Sequence, residues 1–196
     1  MNRGRLRQYG LPALVLVAVM APLVLAVLVY AHPDWFAFGH TNHGNLVQPP
    51  VTIQGAALPR AYSSGSLPAG YFHGHWTLVY IGGPSCGAGC RKALYATRQA
   101  RIATGEQMRR VQRLYVVRGG AARLPRRVRS AQPDLAVAEA TGARGNAFVE
   151  QFTRVRPAGG VYVVDPNGWL MMTYPPGANP AGLLQDLRHL LNANAG

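Results

Sequence analysis

Cys86 and Cys90 are the only cysteines in this chain of 196 residues. They stand where an apolar run, Trp76-Thr77-Leu78-Val79-Tyr80-Ile81, passes through Gly82-Gly83-Pro84-Ser85 into a helix-forming segment. A helix N-terminus offers unpaired N–H groups and the positive end of the helix dipole, and both favour a thiolate over a thiol. Cys86 is therefore expected to be the more acidic and more accessible sulfur. If the helix begins near Gly87, Cys90 lies about one turn deeper on the same face and the two sulfurs can meet. Gly87, Ala88 and Gly89 leave the backbone between them free to bend, which admits either a disulfide or a metal held by two thiolates. A structural bridge is the rival reading. Such bridges usually close longer loops, where they contribute more stability, so a functional pair is preferred.

Other side chains with chemical potential are read more plainly. His40 and His43 are expected to decorate a polar turn, and His73 and His75, two apart ahead of a strand, share a face without a third ligand in view. Met171 and Met172 should point to opposite faces of a strand, so at most one could join a site with the cysteines. A peroxidase would need Thr or Ser and Arg packed round one acidic cysteine, and no such set is evident.

The elements that must position the cysteines follow from the rest of the chain. Residues 1–10 carry Arg3, Arg5 and Arg7 and no acid, and residues 11–31 carry no charge at all. Those 21 residues would span about 30 Å as a helix, the thickness of a bilayer core, with Pro12 at the start and Pro22 at a point where a kink is tolerated. A cleaved signal peptide is disfavoured, because the apolar run exceeds the usual h-region of about 7–15 residues. Arginines before the span place the N-terminus in the cytoplasm and the remainder outside, which in a bacterium is the periplasm. A cysteine pair suits such an oxidising compartment.

Residues 32–71, rich in Pro, Gly, Asn and His, read as an extended arm. Trp35, Phe36 and Phe38 are placed at the membrane interface, and residues 51–58 could add an edge strand. Residues 72–196 form the folded domain. Strands are expected at 72–81, 114–117, 135–138, 161–164 and 169–174. The last two are joined by the turn Asp165-Pro166-Asn167-Gly168. Helices are expected at 91–104, continuing through 106–113, then at 125–131, as a turn or two at 145–152, and after Asn179-Pro180. In the first, Leu94, Tyr95, Arg98 and Ile102 fall at helical spacing with the arginines toward water. In the last, Leu183, Leu184, Leu187, Leu190 and Leu191 share one face. The formal net charge is +13, almost wholly from arginine. These arginines are scattered, with no basic run interleaved with aromatics, so no nucleic-acid partner is expected and the surface is read as solvated or near anionic headgroups.

This order of strand, helix, strand, helix, hairpin and helix, with the cysteines opening the first helix, resembles an α/β thioredoxin-like fold preceded by a single transmembrane helix and an arm. Three features resemble the Sco/SenC family of membrane-anchored proteins that deliver copper to, or reduce, the copper site of cytochrome c oxidase. They are the N-terminal anchor, the Trp-led strand running into Cys86-x-x-x-Cys90, and Tyr162-Val163-Val164-Asp165-Pro166-Asn167-Gly168. The resemblance implies a role for Cys86 and Cys90 in thiol–disulfide exchange during oxidase assembly, with an oxidase subunit or assembly factor as partner. The alternatives are a Cu(I) chaperone using the same cysteines as metal ligands, or a docking factor with a structural disulfide. The family pattern has a histidine as third copper ligand shortly before the hairpin, where this chain has Arg154-Val155-Arg156-Pro157-Ala158-Gly159-Gly160. The family's acidic and proline residues between the cysteines are likewise replaced, by Gly87, Ala88 and Gly89.

Overall fold

The computed structural model describes residues 3–31 and 42–193, which form two separate units. The first is helix α1, Arg3–Ala31, continuous through Pro12 and Pro22 and starting eight residues earlier than residue 11. Its segment Leu14–Ala31 is long and apolar enough to cross a membrane. Trp35, Phe36, Phe38 and His40 lie outside the described residues.

The second unit is built on a six-stranded mixed sheet in the order β1-β6-β5-β2-β3-β4. Its strands are β1 (Asn45–Thr52), β2 (Trp76–Gly82), β3 (Val111–Arg118), β4 (Leu135–Ala140), β5 (Val161–Val164) and β6 (Trp169–Tyr174). The β2–β3 and β3–β4 pairs are parallel, whereas β5, β6 and β1 add antiparallel neighbours. Helices α2 (Ala88–Ala103), α3 (Arg126–Ser130), α4 (Gly142–Thr153) and α5 (Pro180–Ala193) connect or close these strands. Strand alternation sorts the core into two layers. Trp76, Leu78 and Tyr80 join α2 and α5 on one face, while Val79 and Ile81 join α4 on the other.

The hairpin forms as read. Asp165 Oδ1 accepts the amides of Asn167 and Trp169 at 2.9 and 2.7 Å, and Gly168 takes φ +87°, a left-handed conformation that glycine alone adopts without strain. The leucine face of α5 forms too, with Leu183, Leu187 and Leu191 buried.

Several boundaries differ from the sequence reading. The edge strand is β1, not residues 51–58, and it pairs with β6 across a break between Leu46 and Val51. Pro49 and Pro50 fall in that break, and prolines, which lack the N–H a ladder needs, are tolerated on an edge strand. The stretch read as an arm also supplies Ile53, Leu58 and Leu67 to the α4-side core. Phe72 lies ahead of β2 and packs on Phe148 and Phe152 of α4. Residues 106–113 do not continue α2: a separate 3-10 helix, Gly105–Arg110, runs straight into β3, which opens at Val111. Alternation of Val111, Arg113, Tyr115 and Val117 on one face decides for a strand, and Arg113, a polar member of that series, masked the period. In α2 the buried face is Cys90, Ala93, Leu94, Ala96, Thr97 and Ala100, whereas Tyr95 and Ile102 are exposed. Small residues let this helix lie close on the sheet, a criterion that counting bulky side chains overlooks. Nor do all its arginines face water, since Arg98 and Arg101 are half-buried.

Candidate functional site

Strand β2 delivers the chain to the C-terminal edge of its parallel neighbours, where the cysteine loop begins. Gly82 is required there by space, since a Cβ would come within 2.8 Å of the Tyr80 ring. Beyond it the loop is tied from two sides. The Tyr115 hydroxyl donates to the Gly83 carbonyl, and the Arg123 amide donates to the Pro84 carbonyl at 2.9 Å. Gly87 is the extended N-cap of α2, so Cys86 lies just outside the helix and Cys90 is its third residue. The two are joined by a disulfide with Cα atoms 5.1 Å apart, well inside the range a bridge requires.

The sulfurs are not differently exposed. Cys86 is 5% and Cys90 6% accessible, and both belong to the apolar layer between the sheet and α2. The expected greater accessibility of Cys86 is thus absent from the bridged state, in which it packs in the same apolar layer as Cys90. The chain above them is bare: Gly83, Ser85, Gly87, Ala88 and Gly89 are all exposed. A Cβ added at Gly83, Gly87 or Gly89 would meet nothing within 4 Å, and none of the three has a positive φ. Neither packing nor backbone conformation in this domain calls for glycine at these positions. These glycines leave the backbone over the sulfurs open to its surroundings.

Positive charge gathers at the loop. Arg91 Nη1 donates to the Cys86 carbonyl at 3.2 Å, Lys92 is exposed beside it, and both lie in the first turns of α2. Behind the loop the rings of Tyr80 and Tyr115 are 5.4 Å apart, and burial pushes both phenols up, so they remain protonated donors at neutral pH. On the other flank the Gly159 amide donates to the Ile81 carbonyl at 3.1 Å, bringing the segment before β5 to the end of β2. A cavity of about 190 Å³ opens there between Ala93 of α2, Gly159, Val161, Tyr174 and Leu183 of α5.

Among the described residues the donor set does not complete a three-ligand copper site of the Sco type. His73 and His75 precede β2 and so lie at the strand end opposite Cys86, separated from it by a seven-residue strand of roughly 20 Å. His43 Nδ1 is 3.3 Å from Asp186, and Met172 is buried with its sulfur 3.9 Å from the Tyr174 hydroxyl. Residues 154–160 bring glycine, not histidine, beside the loop. Among the described residues no three His, Cys, Asp or Glu side chains are grouped as a metal site. Met171 and Met172 do not oppose one another as alternation implies: a bulge sets Val164 against Leu170 and Val163 against Met172, and both methionines pack toward the α2-side layer.

Two buried polar centres escaped the sequence reading. Asp186 of α5 accepts the amides of His43 and Gly44, each at 2.8 Å, and the Tyr174 hydroxyl at 2.7 Å. Burial alone would push its carboxyl up, but these donors, the Tyr174 hydroxyl first, outweigh burial and hold it below the ordinary carboxylate value. Its signal was an acid within the leucine face of α5. Arg113, 1% accessible, bonds both carboxylate oxygens of Asp134 at 3.2 Å, the Leu94 carbonyl at 2.6 Å and Gln132 at 2.7 Å. Burial lowers its pKa to about 10, with Asp134 opposing the shift.

A family model described as transmembrane-like, thioredoxin-like, C-terminal domain matches residues 76–194. A comparison with curated protein sequences finds no match. Among solved structures, apo Sco1 from Thermus thermophilus aligns at TM-score 0.62 and 19% identity over 78% of this chain and 99% of its own. Copper-bound yeast Sco1 aligns at 0.57 and 14%, covering 80% and 96%. The thioredoxin domain of a thiol-disulfide oxidoreductase from Bacteroides vulgatus aligns at 0.50 and 15%, covering 71% and 98%. At such identities the likeness is one of fold, and that fold is thioredoxin-like.

Proposed function

From the premise that this chain belongs to the transmembrane-like, thioredoxin-like C-terminal domain family, we propose that it is a membrane-anchored thiol–disulfide exchange protein acting through Cys86 and Cys90. The observation that carries this reading is the bridged pair at the N-terminus of α2 beneath a loop of small, exposed residues that the fold itself does not require. In the reduced form the helix N-terminus and the nearby Arg91 favour a thiolate at Cys86. That thiolate attacks one sulfur of a partner disulfide, forming a mixed disulfide and releasing the partner's other sulfur as a thiolate. Cys90 then attacks Cys86 and releases the partner's second thiolate. Two electrons pass to the partner, the Cys86–Cys90 bridge is restored, and a dithiol donor must reduce it again.

The setting we propose is the periplasmic face of a bacterial inner membrane, with the N-terminus cytoplasmic. The partner is a cytochrome c oxidase subunit or assembly factor. Carriage of Cu(I) by the same two sulfurs is the second reading; among the described residues no third donor stands at the loop. The test is the redox equilibrium of the full chain against glutathione, with oxidase assembly scored in cells carrying Cys86→Ser/Cys90→Ser. Ready cycling together with failed assembly supports exchange. A bridge that resists reduction, with normal assembly in the double variant, leaves a structural disulfide. One-to-one Cu(I) binding that depends on the cysteines, without exchange, favours copper carriage.

A further inference from the structure

Five of the six carboxylates among residues 42–193 have partners within the domain, whereas the cations around the cysteine loop have no acidic partner among the described residues. Asp134 holds Arg113 and Arg101, and Asp186 is sealed beneath His43, Gly44 and Tyr174. Glu139 accepts the Ala122 amide at 2.8 Å, Asp165 folds the hairpin turn, and Glu150 pairs with Arg154 at 2.9 Å. Glu106 belongs to the 3-10 helix that enters β3 at the edge remote from the cysteines.

At the cysteine edge, Arg91 and Lys92 flank the loop on the α2 side, and Arg118 and Arg123 flank it on the other. Arg118 ends β3 and lines an open depression of about 630 Å³ together with Gly83 and Pro84. Arg123 is carried by the backbone hydrogen bond that ties its amide to Pro84. All four side chains are exposed, and none is ion-paired among the described residues. The one carboxylate in that depression, Glu150, is the partner of Arg154. Cationic side chains on both sides of the loop that leads into the disulfide raise the local concentration of anionic partners near the place where exchange would occur.

We propose that the disulfide presented to Cys86 belongs to an acidic polypeptide, with Asp or Glu flanking its cysteines, and that Arg118 and Arg123 orient it over the glycine loop. This inference rests on the exchange reading above and names its substrate class. It assigns these cations to a polypeptide in preference to lipid because they stand at the strand edge from which the cysteine loop departs, next to Pro84 and Cys86.

The test uses the full chain, reduced and reconstituted in phosphatidylcholine nanodiscs. Exchange rates are measured against two cyclic cystine peptides that differ only in flanking residues, Asp/Glu or Gln/Asn, and against neutral 2-hydroxyethyl disulfide as a reference. The acidic peptide should react about tenfold faster than the neutral one at low salt, with the advantage shrinking as salt rises. Arg118→Gln/Arg123→Gln should remove most of that ratio. Equal peptide rates, or a ratio indifferent to the two arginines, would overturn the proposal. So would an advantage that vanishes when phosphatidylglycerol is added to the discs, since these cations would then belong to the membrane. Failure to exchange even with 2-hydroxyethyl disulfide would instead overturn the exchange reading itself, and the substrate assignment with it.

Discussion

The Tyr174 hydroxyl donates to Asp186 across 2.7 Å, joining the last strand of the sheet to the last helix inside the core. The same carboxylate receives the amides of His43 and Gly44, so it also fastens the segment that enters the domain just ahead of β1. Gly182 and Gly44 make the approach: a Cβ at Gly182 would sit 2.6 Å from His43, and one at Gly44 2.6 Å from the Tyr174 ring.

Asp186→Ala is expected to destabilise the domain by about 3 kcal/mol, because it leaves two amides and a phenol without their acceptor, the Gly44 amide and the Tyr174 phenol in buried surroundings. Urea unfolding of the detergent-solubilised chain, read by tryptophan fluorescence, gives the value. A loss below about 1 kcal/mol would mean that the donors find other partners.

The depressed pKa of Asp186 has a pH signature. A carboxyl held lower in the folded than in the unfolded state contributes stability that is fully present above its unfolded value. That contribution is lost as pH falls through the folded value. The stability gap between the parent chain and Asp186→Asn should therefore be constant above about pH 5 and narrow below about pH 4. A gap independent of pH would show that the carboxylate charge contributes nothing.

Gly89 lies in the first turn of α2 with no neighbour where its Cβ would be. Gly89→Ala should raise stability by up to about 1 kcal/mol and leave exchange with small disulfides unchanged. Gly89→Trp should slow exchange with a folded protein disulfide at least tenfold while sparing 2-hydroxyethyl disulfide. If both disulfides react with Gly89→Trp as with the parent, the loop is not the approach route.

Arg113 is buried and depends on Asp134 for charge compensation. Asp134→Ala should cost roughly 3 kcal/mol by leaving that guanidinium uncompensated, and adding Arg113→Met should recover a large part of it. Thermal unfolding of the single and double variants measures the coupling. Strict additivity would mean that the two side chains do not interact.

What the sequence determined by itself was whatever short-range pattern encodes. The membrane-length apolar run, the hairpin turn at 165–168, the leucine face of α5 and the cysteines between a strand and a helix each depend on neighbours a few residues apart. What only the tertiary structure decided depends on residues far apart in the chain. Residues 45–52 became an edge strand because β6 offered a free edge, despite two prolines. Arg113 sits in a core strand because Asp134, Leu94 and Gln132 converge on it from other elements. Asp186 is buried because His43 and Gly44, more than 140 positions away, bring donors to it. At the cysteine loop the spacing made a bridge feasible, but equal burial of the sulfurs, the open space over Gly87 and Gly89 and the flanking cations come from packing. Local propensity cannot specify them, because each is set by what the other layers of the fold leave covered or uncovered.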